Sequence, residues 1–491
     1  MRTPRSCRAK SRHAGTVGSG CAPRLRSGRT ALLLGIAALV SAPAIAQTVA
    51  ITGGTVALGD GSAPIEGGTV VIENGRIAAA GANVAVPAGA TVVDATGKWV
   101  TPGLVAGFSR VGLVEVDAVD ATNDTQANGS PFSAAIDVEP AINPRASAIA
   151  VSRAAGVTRA VVAPVTARSI FAGQGAVIDL GADMQPITRA RAFQFVEFGE
   201  QGAREAGGSR PAAYTLFRNA LREARDLGRD IRGTSRERGL ATGEPVQPQE
   251  LPLEEIPENP LLSSALERPE DVLLTRFDAA ALVPVLQGRQ LLLVHVERAS
   301  DILRTLELKR EFPNLRLVLV GAAEGWTVAD RIAAAGVPVI ANALTDLPAS
   351  FEQLAATQSN IGRMVDAGVE VAIGMLGEDE ARQVRLSTQN AGNLVALNDV
   401  PGASGLTWGE ALAAISSAPA KALGLGSEIG SLQPGRRADV VIWNDDPLEL
   451  SSGVEAVWID GVPQPLETRQ TLLRDRYLEI DRGALPEAYD H

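Results

Sequence analysis

The chain has 491 residues, 45% hydrophobic and 21% charged, with a formal net charge of −11, which leaves room for one large barrel and a smaller domain. Eight of its 45 basic residues and both cysteines, Cys7 and Cys21, fall within the first 46 positions, so the remainder sets 37 basic against 56 acidic groups and has no thiol. That balance argues against nucleic acid or an anionic membrane as partner, and the lack of thiols excludes disulfides and Cys-ligated zinc beyond residue 46.

Residues 1–29 carry Arg and Lys without a single acid, and the apolar run Ala31–Val40 and Ser-Ala-Pro-Ala-Ile-Ala follow. This order predicts a signal peptide over 1–46 with an Ala-x-Ala site at Ala44–Ala46, cleaved before Gln47. The apolar run is about half of what a membrane span needs. A periplasmic or secreted protein with no membrane anchor after cleavage is the expectation.

Residues 47–101 read as β structure. Val49–Thr52, Thr55–Leu58, Gly68–Glu73 and Arg76–Gly81 are short runs rich in β-branched residues. Asn74-Gly75 between the last two accepts the positive φ values of a tight hairpin. Residues 429–491 answer them with Ile429–Trp443 and Val454–Pro463, which has an Asp460-Gly461 turn. Between lie strand-like runs at Val157–Ala163, Leu291–Val296, Leu315–Val320, Pro338–Ala341 and Val369–Ile373. They alternate with helical patterns at Ala212–Leu227, Ala299–Phe312, Thr327–Ala335, Phe351–Ala367 and Thr407–Ser416. Alternating βα units at this length predict a (β/α)8 barrel over 102–428. Residues 229–262, rich in Glu, Arg and Pro and without periodicity, read as an exposed insertion.

Three stretches carry a resemblance: Pro102-Gly-Leu-Val-Ala-Gly-Phe-Ser-Arg110, Ala418-Pro-Ala-Lys-Ala-Leu-Gly424 and Gly430-Ser-Leu-Gln-Pro-Gly-Arg-Arg-Ala-Asp-Val-Val441. In these the chain resembles the metal-dependent amidohydrolases, of the imidazolonepropionase and dihydroorotase kind. The resemblance implies a TIM barrel beside a β-sandwich built from both chain ends, and hydrolysis of carbon–nitrogen bonds in non-peptide or peptide-like amides. It also implies two divalent ions held by His-x-His on strand 1, a carboxylated Lys or a Glu on strand 4, a His on each of strands 5 and 6, and an Asp on strand 8.

Carried over residue by residue, that pattern is depleted. Ala106 stands for the strand 1 Asp, and Phe108 and Arg110 stand for the two His. Phe has no lone pair for a metal, and Arg stays protonated. Of three His in the chain, His13, His295 and His491, only His295 falls in the barrel, at the strand 5 position. Gly321 ends strand 6, Gly374-Met375-Leu376 ends strand 8, and no Lys lies between 99 and 308. The expectation is a binding or partner subunit without the binuclear centre and without a cofactor. The alternative is an active hydrolase with a single divalent metal, or none, around His295, recruiting Glu297, Glu115, Asp117, Asp120 or Asp124. The barrel-mouth candidates are His295, Glu297, Arg110, Glu115 and Phe108. Arg110 either reads a ligand carboxylate or, the preferred role, supplies the lost metal charge by pairing with Glu297, Glu115 or another carboxylate of the mouth. A small molecule or peptide-like ligand, a second copy of the chain, or a related active amidohydrolase are the expected partners.

Overall fold

The computed structural model describes residues 48–116, 118–238, 273–377 and 380–478. The leader, Asp117, His13, His491 and most of the expected insertion lie outside the described residues. The first strand, β1 (Val49–Val56), joins the two runs expected as separate strands. Its register shifts around Gly54, and Gly53 takes a φ of +79°, so a bulge bends one strand where the Gly pair had read as a break. β2 (Ile65–Glu73), β3 (Arg76–Gly81), β4 (Thr91–Asp94) and β5 (Trp99–Pro102) follow. Asn74 and Gly75 between β2 and β3 both have positive φ, as the hairpin reading required.

The barrel sheet starts at β6 (Leu104–Ser109), and a long loop leads to the helix α1 (Ser147–Ala154). Next come β7 (Val157–Val162), β8 (Phe171–Asp179) and β9 (Ile187–Glu197). The helices α2 (Glu200–Glu205), α3 (Arg210–Arg238) and α4 (Arg276–Leu286) lead to β10 (Leu291–Val296), α5 (Ala299–Glu311) and β11 (Leu317–Gly321). The remaining units are α6 (Ala329–Ala335), β12 (Val339–Ala341), α7 (Asn360–Asp366) and β13 (Val371–Ile373). After α8 (Ser387–Ala396), α9 (Trp408–Ala414) and α10 (Ser417–Ala422), the chain returns to the first sheet through β14 (Val440–Trp443), β15 (Val454–Ile459) and β16 (Val462–Pro463), and α11 (Arg469–Leu478) ends the described part.

Strands β6 to β13 form one sheet in sequence order. It curls until the edges meet: the Met375 N–H donates to the Phe108 carbonyl at 3.3 Å, and a Cβ on Gly107 would lie 2.7 Å from the Ile373 carbonyl oxygen. One strand departs from the expected pattern. β8 runs antiparallel to both β7 and β9, so β7, β8 and β9 form a meander inside a barrel expected to alternate strands with helices. Helix α3 runs on to Arg238, past the expected start of the insertion at 229. Residues 351–359 are not helical, because Glu352 is drawn to the backbone N–H of Glu200 at 2.7 Å and the Ala355 N–H to the Glu324 carboxylate at 3.1 Å.

The interior of the barrel is lined by Val105, Phe108, Phe193, Phe195, Leu291, Leu293, Val318 and Val320, all buried. The first sheet has the order β16-β15-β14-β5-β1-β2-β3, with β4 beside β1, and therefore draws on both ends of the chain. Val440 and Val441 pair with Pro102 and Thr101, directly before the barrel begins. Beneath this junction Arg159 of β7, with no exposed surface, reaches Asp439 through Nε at 2.8 Å and Nη2 at 3.0 Å, Asp460 at 2.8 Å and Asp179 at 3.6 Å. Among the described residues no helix is long and apolar enough to cross a membrane.

Candidate functional site

The site grows out of strand periodicity. Alternate residues of a strand face the same way, so His295 follows Leu291 and Leu293 into the barrel, and Glu197 follows Phe193 and Phe195. The parallel register sets His295 directly beside Glu197, and both stand where the strands of such a barrel end in its C-terminal mouth. His295 Nδ1 meets Glu197 Oε1 at 2.5 Å. Its other ring nitrogen, Nε2, meets Glu297 Oε1 at 3.1 Å. The second Glu297 oxygen accepts the backbone N–H of Ala323 at 2.7 Å.

Charge follows from this geometry. Burial alone would push His295 down, but the Glu197 carboxylate, then Glu297, hold it well above its usual value. The ring is therefore an imidazolium with a carboxylate on each side. Glu352 stands close enough to feel His295 and Glu297; burial pushes its carboxyl up, against the Glu200 N–H and the His295 charge. Arg210 holds it from the far side at 3.1 Å and also reaches Asp301 at 3.0 Å. Two glycines make room for these carboxylates. A Cβ on Gly321 would fall 2.7 Å from Glu297 Oε1, and one on Gly199 would fall 2.8 Å from Glu352 Oε2.

A cavity of about 320 Å³ opens beside this cluster, lined by Arg110, Asn123, Thr125, Gln126, Val165, Thr166, Phe195, Glu197, Gln201, Leu376 and Arg382. Phe195 forms part of its wall and packs on Phe108, ring centroids 5.3 Å apart. The Arg110 guanidinium lies 5.8 Å from the centre of the Phe108 ring. Gln201 donates to Glu205, whose carboxyl is raised by burial.

The structure thus brings His295 and Glu297 together, and sets Arg110 and Leu376 on the adjoining cavity with Phe108 behind them. Gly321 touches the cluster through the space that its missing side chain leaves. Glu115 is elsewhere: it is exposed and accepts from Asn143. Asp120 and Asp124 are exposed on the same loop. Glu297 meets His295, two residues away on its own strand end, and Glu115 accepts from Asn143; Arg110 keeps a partner of its own within the chain. Sequence reasoning also passed over Glu197, although it ends an apolar run at the strand 4 position, where the resemblance allows a Glu as well as a modified Lys. Two serines of the barrel have structural bonds: Ser109 Oγ donates to Val161 O and Ser152 Oγ to Ala148 O.

Comparisons with known proteins agree with this architecture. Residues 320–464 match the model of a family described as the amidohydrolase family. Over 60 residues the chain is 43% identical to amidohydrolase tasK of Hapsidospora irregularis, a stretch amounting to 12% of this chain and 6% of that protein. The chain therefore spans only a small part of that relative's length. Among solved structures, an amidohydrolase from Thermotoga maritima MSB8 superposes with a TM-score of 0.69 at 25% identity, covering 84% of this chain and 99% of that one.

Proposed function

The chain belongs to the amidohydrolase superfamily, and from that premise we propose that it is a binding or partner protein in which an internal ion pair stands where the family holds its metals. The observation that carries this reading is the double engagement of His295, with Glu197 on Nδ1 and Glu297 on Nε2. The two nitrogens of an imidazole point away from one another. A single ion bound by one of them could reach only one of these carboxylates, and a zinc site usually needs three protein ligands. Among the described residues, no group of three or more His, Cys, Asp or Glu is arranged to hold a metal. A binuclear pair fits still less well, because Phe108, Arg110 and Leu376 offer it no donor.

Metal analysis of the purified protein tests the reading, together with thermal melts before and after chelation. We expect substoichiometric zinc and an unchanged melting temperature. Stoichiometric zinc, removed by the chelator together with an activity on carbon–nitrogen bonds, would overturn it in favour of a hydrolase working at His295. We also propose export to the periplasm or beyond, on the support of the basic, apolar and Ala-x-Ala order of residues 1–46. N-terminal sequencing of the exported protein should begin Gln-Thr-Val-Ala; a protein retaining residues 1–46 would count against export. A second copy of the chain or a related active amidohydrolase remains the proposed partner, and the acidic charge of residues 47–491 speaks against nucleic acid.

A further inference from the structure

We propose that the chain pairs with a second copy of itself by exchanging α11, the helix of each copy lying in an apolar, acidic groove of the other. This rests on the reading of a second copy as the partner, and it deepens that reading by naming the two surfaces. The first is α11 itself. Its root is fixed, because Thr468 is buried and the Thr471 N–H donates to Thr468 Oγ1 at 3.2 Å, yet none of the helix's own residues is buried. Helices in proteins draw most of their stability from packing an amphipathic face. At about 100° per residue, Leu472, Leu473 and Tyr477 fall on one side of α11, with Arg469 and Arg476 between them. Tyr477 keeps 70% of its surface exposed. Asp475, the one acid of the helix, points away from this side and pairs with Arg474. In a chain of net charge −11, α11 therefore presents an uncovered face that is both apolar and basic.

The second surface lies between the segment after β12 and the end of α8. Ala343, Leu344, Leu394, Leu397 and Val400 line a groove of about 210 Å³ there. The same segment after β12 carries Leu347, Phe351 and Leu354, exposed by 78%, 83% and 66%. Single exposed apolar residues are ordinary, but such a group beside an apolar groove marks an interaction surface. Its charge is acidic. Asp346 accepts the N–H of Gln358, a lining residue, at 3.3 Å, and both Asp346 and Asp399 are exposed. No Lys or Arg occurs in residues 332–362 or 386–420. Apolar and basic thus meets apolar and acidic. Within one copy both surfaces stay uncovered, so a second copy is what brings them together. The leucines and Tyr477 enter the groove, while Arg469 and Arg476 lay their stems on apolar surface and keep their charged ends at the rim, beside Asp346 and Asp399. A helix laid in an apolar groove is a common mode of recognition, opposite charges at its rim fix orientation, and reciprocal exchange closes a two-fold pair.

Analytical ultracentrifugation of the purified protein tests this by exchanging charges. We expect the unaltered protein to sediment at twice its chain mass, and Leu473→Glu to weaken the pair at least about tenfold. The double variants Arg469→Glu/Arg476→Glu and Asp346→Arg/Asp399→Arg should each be weakened as much on their own, because like charges then face one another. Mixed in equal amounts, the two should pair again, since every helix then meets a groove of opposite charge. A helix docked on its own chain would give no such recovery, and neither would a variant that fails to fold. A parent that is monomeric at every concentration reached overturns the inference. So does a dimer equally tight in Leu473→Glu and both charge variants, or a mixture of two folded variants that does not pair. A chain that stays monomeric alone and pairs only with a related active amidohydrolase overturns the exchange while leaving the partner reading in place. Metal content, measured on the same samples, decides the reading of the barrel mouth separately.

Discussion

A single imidazole between two carboxylates sets the pH behaviour of the barrel mouth. The folded-state value of His295 is raised, so its stabilising charge is fully present below the unfolded value of about 6.5 and fades as pH climbs through the higher folded value. We therefore expect the melting temperature to fall on the alkaline side of neutrality, and His295→Leu to remove that slope. The same substitution leaves Glu197 and Glu297 facing each other without a cation. Breaking a buried pair in this way costs about 3–5 kcal/mol, and the lower end applies because His295 keeps 22% of its side-chain surface exposed. Denaturant titrations of parent and variant at pH 6 and pH 9 check both points. A variant as stable as the parent at pH 6 would mean that the imidazolium holds nothing together.

At the scale of elements, the junction of the barrel and the first sheet hangs on β7. One cation, Arg159, serves Asp439, Asp460 and Asp179, and the third has the poorest bond, at 3.6 Å. Burial pushes Asp179 up to about 6 although Arg159 pulls the other way. Its folded value thus lies above the unfolded one, so this carboxylate costs stability above pH 6 and the cost disappears as pH falls towards 4. Asp179→Asn should be neutral or stabilising by roughly 1–3 kcal/mol at pH 7.5 and lose that gain near pH 4. Arg159→Met, which strands Asp439, should cost about 3–5 kcal/mol at pH 7.5. Urea denaturation at the two pH values measures both, and a strongly destabilising Asp179→Asn at pH 7.5 would contradict the ranking.

This scale also marks what was legible in the sequence. The apolar runs Leu291–Val296 and Leu317–Gly321 are continuous, bounded and buried, and each is a barrel strand. β8 was not legible, because Gly173 and Gly175 within Phe171-Ala-Gly-Gln-Gly175 look like a turn until their neighbours are seen. A Cβ on Gly175 would fall 2.0 Å from the Phe193 ring, and one on Gly173 would fall 2.7 Å from the Ile136 carbonyl. Close packing, invisible in one dimension, requires glycine inside that strand. The site divides in the same way. His295 was found because it is the one barrel His, whereas its partner Glu197 hid among many acids and is distinguished only by the register of β9 against β10. Arg110 was read at the end of strand 1 and lines the mouth cavity, whereas the sequence does not tell that Glu297 folds back onto the His two residues before it.

The whole molecule is closed by its two ends. β5 has β1 on one side and β14 on the other, and Trp443 donates from Nε1 to Thr101 Oγ1 at 2.9 Å across that seam. Removing everything beyond residue 428 would strip β14, β15 and β16 from the sheet and take Asp439 and Asp460 from Arg159. We expect the truncated chain to lose cooperative unfolding of the barrel as well as of the first sheet, as followed by far-ultraviolet dichroism and calorimetry. A truncated protein that keeps a sharp barrel transition would show the two parts to be independent.

That seam also imposes an order in time. Pro102 pairs with Val440, so the free edge of β5 cannot be covered until 338 further residues have been made. At about 5–20 residues per second, the wait is roughly 20–70 s. Through that interval the barrel strands can gather while the first sheet stays open along one edge, the arrangement most prone to capture by another strand. The last residues of the sheet to be synthesised thus decide when the first can stop being sticky, and a chaperone that shields Val100 and Thr101 would act in that interval.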